Sequence, residues 1–236
     1  MQDHSHTPEA IHQRIAEPQG RGVLRDAVYG AIDGAVTTFA VVSGVAGAGL
    51  SPSVIIILGL ANVLADGFSM AAANYSGTKA EQDNINRIRK IEEGHIQRHP
   101  QGERLEVREI LSNLGLSGDV LEQATDQIIQ DKSKWIALMV EHEYGLGGTD
   151  PNPLRAAATT FFAFIIVGLI PLLPFILGLA NAFAISAGLT LFSFFTVGAL
   201  KSGWSLNPWW RSALETLLIG GTASALAYFV GSLFNA

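Results

Sequence analysis

The stretch ANVLADGFSMAAAN, Ala61–Asn74, decides how this chain is read. It is the second half of an apolar segment that begins near Ser53. On a helix, Asn62, Asp66, Ser69 with Met70, and Ala73 with Asn74 recur at i, i+4, i+7/8 and i+11/12, so they share one face. Leu60, Val63, Leu64 and Phe68 lie around that stripe and are expected to face lipid. An ionised carboxylate costs at least ~2.5–3.5 kcal/mol at the centre of a bilayer, so it is normally turned to a cavity or a partner. A carboxylate, an amide and a soft thioether on one face suggest a polar path that a transition metal could use.

The composition agrees with a membrane setting. Of 236 residues, 48% are hydrophobic and 15% charged, against ~25% charged in soluble domains. Mean hydropathy is +0.30. Charge gathers at the N-terminus and in residues 79–150, which implies a membrane protein with one soluble insert. The absence of cysteine excludes disulfides, zinc–thiolate sites and iron–sulfur clusters. The net charge of -6 argues against nucleic acid as a partner.

Residues 1–22 are polar, lack the apolar core of a secretory signal, and read as a disordered tail. His4, His6 and His12 within it suggest at most weak metal gathering. The first span is expected over about Arg25–Gly49. Asp26, Gly30, Asp33, Thr37 and Gly44 form a small-or-polar face there, and Gly30 with Gly34 makes a GxxxG that permits close helix contact. Asp33 is either a buried structural carboxylate or, paired with Asp66 of the next span, part of an ion path.

The second span, about 53–74, has no stop signal, and residues 75–98 continue it as a charged helix about 36 Å long. Pro100 and Gly102 are expected to end it. A short helix over 103–114 and a third over 119–144 complete a three-helix module, residues 75–150. Gly145, Gly147, Gly148, Pro151 and Pro153 return the chain to the membrane. Spans three to five are expected near 154–177, 178–200 and 208–234, with Pro171 and Pro174 breaking the third. Glu215 is expected to pair with Arg211, and Trp204, Trp209 and Trp210 to form an interfacial belt.

The fold class is therefore an all-α membrane protein of five transmembrane helices, with the insert between spans two and three. The divisions are a tail (1–22), spans one and two (23–74), the insert (75–150) and spans three to five (151–236). A cytoplasmic N-terminus would place all 15 Lys and Arg residues on or beside the cytoplasmic side, insert included.

Within the insert, Glu92 and His95 are spaced to share a helix face, as in the Glu-x-x-His pairs of di-iron bundles. Glu103, Glu106 and Glu109 line the next helix, and Met139, Glu141, His142 and Glu143 end the last. If the helices pack, these groups converge on a donor set suited to Fe²⁺, Mn²⁺, Co²⁺ or Zn²⁺ rather than Ca²⁺ or Mg²⁺. The plainer reading is an acidic, solvated surface.

Three runs resemble the vacuolar iron transporter family: DGAVTTFAVVSGVAGA (33–48), ANVLADGFSMAAANYSGTKAE (61–81) and WIALMVEHEYGL (135–146). The similarity extends from about Leu24 onward. It implies a five-span homodimer that moves Fe²⁺, and often Mn²⁺, out of the cytoplasm in exchange for protons. It places Asp33 and Met70 on a path between subunits, to which the stripe reading adds Asp66, Asn62 and Thr37. It assigns metal binding in the insert to Glu92, Glu103, Glu106, Met139 and Glu143. His95 departs from the pattern by standing where relatives with this insert often carry Glu; as an imidazole it joins the proposed ligands. Val140 stands where a second Met can occur, and Asn74 where a Glu is common.

The resulting expectation is a transporter rather than an enzyme, with no cofactor, in a bacterial inner membrane or, in a eukaryote, a vacuolar membrane. The rival is a membrane-anchored metal buffer or sensor. A di-iron oxidase built on the insert is disfavoured because only one Glu-x-x-His pair, Glu92–His95, is present there.

Overall fold

The computed structural model describes residues 5–16, 23–146, 151–204 and 206–233. His4, Gly147 and Gly148 lie outside the described residues, as does the side chain of Trp204. The described residues are helical, without a strand. Among the described residues, five helices are long and apolar enough to cross a membrane, as expected: α2 (Leu24–Gly47), α3 (Pro52–Arg98), α7 with its continuation (Pro153–Ile176), α9 (Ala182–Lys201) and α10 (Trp209–Ser232).

The chain forms two compact units, Met1–Arg21 with Thr78–Asn152, and Gly22–Gly77 with Pro153–Ala236. Helix α3 is unbroken over 47 residues and belongs to both.

In the membrane unit, α2 packs on α7, α9 and α10. Small residues let the backbones approach, which is how helices associate where burial from water gives no drive. A Cβ on Gly34 would lie 2.5 Å from the Phe164 carbonyl oxygen, and one on Gly30 would collide with the Thr160 carbonyl. The GxxxG of the first span is thus used inside the chain, against α7, and is no support for a contact between copies. Phe39, Val42, Val45, Ile55, Val63, Leu172 and Phe175 form the apolar core. Val63 is 1% exposed, so it faces this core and not lipid, whereas Leu64 and Phe68 are exposed as expected. Both sides of α3 are apolar near its start, so composition alone could not orient Val63.

Span three breaks where the prolines require. α7 (Pro153–Gly168) gives way to a 3-10 turn, Ile170–Leu172, and a short α8, Leu173–Ile176. Ser186 Oγ of α9 donates to the Pro171 carbonyl at 2.6 Å. Buried hydroxyls on α9 and α10 are satisfied along their own helices, for example Thr190 on the Ser186 carbonyl and Thr216 on the Ser212 carbonyl. Glu215 pairs with Lys201 at 3.4 Å, while the Arg211 guanidinium lies over the Trp210 ring. The expected Glu215–Arg211 pair gives way because indole offers Arg211 a local cation–π partner.

The other unit differs from expectation in two places. Residues Pro8–Ala16 form helix α1 in the tail read as disordered. Thr7 precedes it, and Ala10 N donates to Thr7 Oγ1 at 3.4 Å, an N-terminal cap. The insert has four helical segments rather than three, because the expected 119–144 helix is two: α5 (Gly118–Ile129) and α6 (Lys132–His142). The break comes at Asp131, whose carboxylate accepts from Ser133 N and Lys134 N. A capping Asp is more stable there than in a helix interior. Helix α4 runs Pro100–Asn113, so Pro100 opens a helix instead of only closing one, and Gly102 lies within it.

Val107, Leu111, Leu121, Trp135 and Met139 make the main core of the insert, and Ile85, Ile88, Ile136 and Val140 a second cluster. Arg104 bonds both Glu122 and Asp126, and Arg108 bonds Glu122 at 2.6 Å, clamping α4 to α5.

Candidate functional sites

The membrane unit brings together Asp33 of α2 and Met70 of α3. Both line a cavity of about 640 Å³ with Arg25, Tyr29, Ile32 and Lys201. Asp33, Asp66 and Met70 are each half-buried. Asp66 lies one turn from both Asn62 and Met70, on the same face of α3. Asn62 Nδ2 donates to Thr37 Oγ1 at 3.4 Å, which joins the polar stripe of α3 to that of α2. All five residues of the expected path are therefore on facing sides of two neighbouring helices. A carboxylate and a thioether lining one cavity can hold a divalent cation or a proton.

A smaller cavity of about 210 Å³ shares Met70 and adds Asp26, Asn74 and Thr160. Asn74 Nδ2 donates to Asp26 Oδ1 at 2.9 Å and to Thr160 Oγ1 at 2.7 Å. Asp26 was on the polar face in sequence, seven residues before Asp33, but was not singled out. The roles of Arg25 and Lys201 in the larger cavity were not legible, since Lys201 comes from a distant helix.

The insert brings together Glu92, His95 and Glu103, with one candidate ligand atom from each lying within 4.8 Å of the others. Glu92 lies near the end of α3 and Glu103 in the first turn of α4. The Arg98–Pro100 corner folds one helix back against the other. Glu92 is 0% and Glu103 5% exposed. The Oε2 atom of each is buried without a hydrogen-bond partner. Their Oε1 atoms lie 3.4 and 3.5 Å from His95 Nδ1. A buried, unpartnered carboxylate oxygen is costly unless a cation or proton completes it.

Electrostatics say the same. Burial, followed by repulsion from Glu106, Glu92 and Glu143, pushes the Glu103 carboxyl up to about 7. Burial, then Glu92 and Glu106, raises Glu143 above the usual carboxylate range. Glu106 and Glu143 are themselves exposed at the rim of this acid group, and Met139 is fully buried in the apolar core of the insert. Tyr144, which sequence reasoning passed over, donates its hydroxyl to Glu92 Oε1 at 2.9 Å.

Fold and sites define a class: a multi-pass helical membrane protein with a polar path and a separate acidic insert fit for a divalent metal. A family model described as the VIT family matches residues 24–232, and the chain belongs to that family. It is 35% identical over 228 residues to Vacuolar iron transporter 1 of Oryza sativa subsp. japonica, covering 95% of this chain and 88% of the relative. Vacuolar iron transporter 1 of Arabidopsis thaliana is 34% identical over 209 residues, 87% of this chain and 84% of its own. The Vacuolar iron transporter of Toxoplasma gondii is 33% identical over 225 residues, 90% and 74%.

Proposed function

We propose that this protein transports Fe²⁺, with Mn²⁺ as a second cargo, out of the cytoplasm in exchange for protons, and so protects against excess iron. The observation that carries the reading is Asp33 and Met70 lining one cavity from two helices. A hard carboxylate and a soft thioether together suit a borderline transition metal. The names of the relatives supply the choice of iron.

The insert gathers the ion from dilute solution, its acids raising the local cation concentration. In the membrane, Asp33 holds the ion when ionised, and protonation from the opposite side weakens its grip and favours release. Orientation in the membrane rests on the distribution of charge: all 15 Lys and Arg residues fall on or beside one side if the N-terminus and insert are cytoplasmic. The membrane is a bacterial inner membrane or, in a eukaryote, the vacuolar one. The working form is a homodimer whose second copy faces the same cavity. Nothing in this cycle requires an enzymatic step or a resident cofactor.

The test is Fe²⁺ flux into proteoliposomes under an imposed pH gradient, wild type against Asp33→Asn. Flux that needs both the gradient and Asp33 supports the proposal. No wild-type flux, with metal still bound by the insert, would instead favour a membrane-anchored buffer or sensor.

A further inference from the structure

The acid group of the insert holds its two buried carboxylates in an asymmetric way. Glu92 Oε1 accepts the Tyr144 hydroxyl at 2.9 Å and lies 3.4 Å from His95 Nδ1. Glu92 Oε2 has no partner and no access to water. Glu103 repeats the pattern, with Oε1 3.5 Å from the same imidazole nitrogen and Oε2 unpartnered. Each carboxylate thus has one engaged oxygen and one vacant oxygen.

We infer that Tyr144 is a positioning residue that sets the metal selectivity of the insert, by keeping Glu92 a one-oxygen ligand. The inference rests on the reading of Glu92, His95 and Glu103 as a metal site. A phenol bonded to Oε1 competes with any ion that tries to take both oxygens. Ca²⁺ takes six to eight oxygens and uses two-oxygen carboxylates freely. First-row transition metals accept fewer ligands and include imidazole among them. Holding Glu92 to one oxygen therefore penalises the larger, oxygen-seeking ion. Such outer hydrogen bonds to a ligand are worth on the order of 10- to 100-fold in metal affinity.

The phenol is suited to that task. A phenol keeps its proton at neutral pH and so can donate to the carboxylate. Leu146 N and Val140 O close the turn that carries Tyr144, fixing the chain where α6 ends.

The experiment titrates the full-length protein in detergent with Co²⁺ alone and with Ca²⁺ alone, wild type against Tyr144→Phe. Phenylalanine fills the same space and lacks only the hydroxyl, and circular dichroism checks the fold. The expected result is a fall of about tenfold in the Co²⁺-over-Ca²⁺ preference, led by tighter Ca²⁺ binding. The Co²⁺ d–d absorption should weaken as Glu92 adds its second oxygen. An unchanged preference and spectrum would overturn the inference. So would equal weakening of both ions, which would make Tyr144 a structural contact only. Absence of Co²⁺ binding in wild type would instead overturn the underlying metal site.

Discussion

A carboxylate oxygen of Glu103 lies within 4.8 Å of one of Glu92, although both are acids buried in the same insert. The two carboxylates come from helices joined by the Arg98–Pro100 corner. At neutral pH, a proton or a cation between them relieves the repulsion.

That relationship fixes a pH dependence. The Glu103 carboxyl is raised to about 7, so much of it is protonated at neutral pH. Metal must displace that proton. Co²⁺ affinity should therefore rise on the order of tenfold between about pH 6 and pH 8, with proton release visible by calorimetry in buffers of different ionisation enthalpy. Glu103→Gln should flatten the dependence. The sign for stability is opposite. A raised folded pKa favours folding below the ordinary carboxylate range and loses that contribution as pH rises through about 7. The metal-free insert should melt at lower temperature as pH rises, and added metal should reverse the trend.

Met70 offers a test of the membrane path apart from charge. Met70→Leu keeps the volume and removes the sulfur donor. Fe²⁺ flux should fall roughly tenfold, with the protein still folded and the insert still binding Co²⁺. Unchanged flux in proteoliposomes would remove the thioether from the path.

Two glycines of α2 should respond in opposite ways. A Cβ at Gly34 would meet the Phe164 backbone at 2.5 Å, whereas one at Gly44 meets nothing within 4 Å. Gly34→Ala should force α2 and α7 apart and lower the melting temperature in detergent, or abolish the folded protein. Gly44→Ala should leave it within a few degrees of wild type.

Asp131 ends one helix and starts the next. Its carboxylate accepts from Ser133 N at 3.0 Å and Lys134 N at 3.3 Å. Asp131→Ala should cost ~0.5–2 kcal/mol, read as an earlier denaturant midpoint for the insert, with metal affinity changed little. A large loss of metal binding would show that the α5–α6 corner also shapes the acid group.

What the sequence by itself determined was whatever depends on period and composition. Five apolar runs of spanning length, the unbroken α3, and the breaks at Pro171 and Pro174 all follow from local spacing, whereas the pairing of Asp33 with Met70 as candidates is what the family resemblance implies. The Glu92–His95 pair was legible for the same reason, since i and i+3 share a face on any helix. Tertiary structure decided what depends on which faces meet. It turned Val63 inward, placed Gly30 and Gly34 against α7, and gave Glu215 to Lys201 instead of Arg211. It also brought Tyr144 onto Glu92 across 52 residues. No periodicity encodes such a contact, because it depends on how the helices pack and where their corners fall.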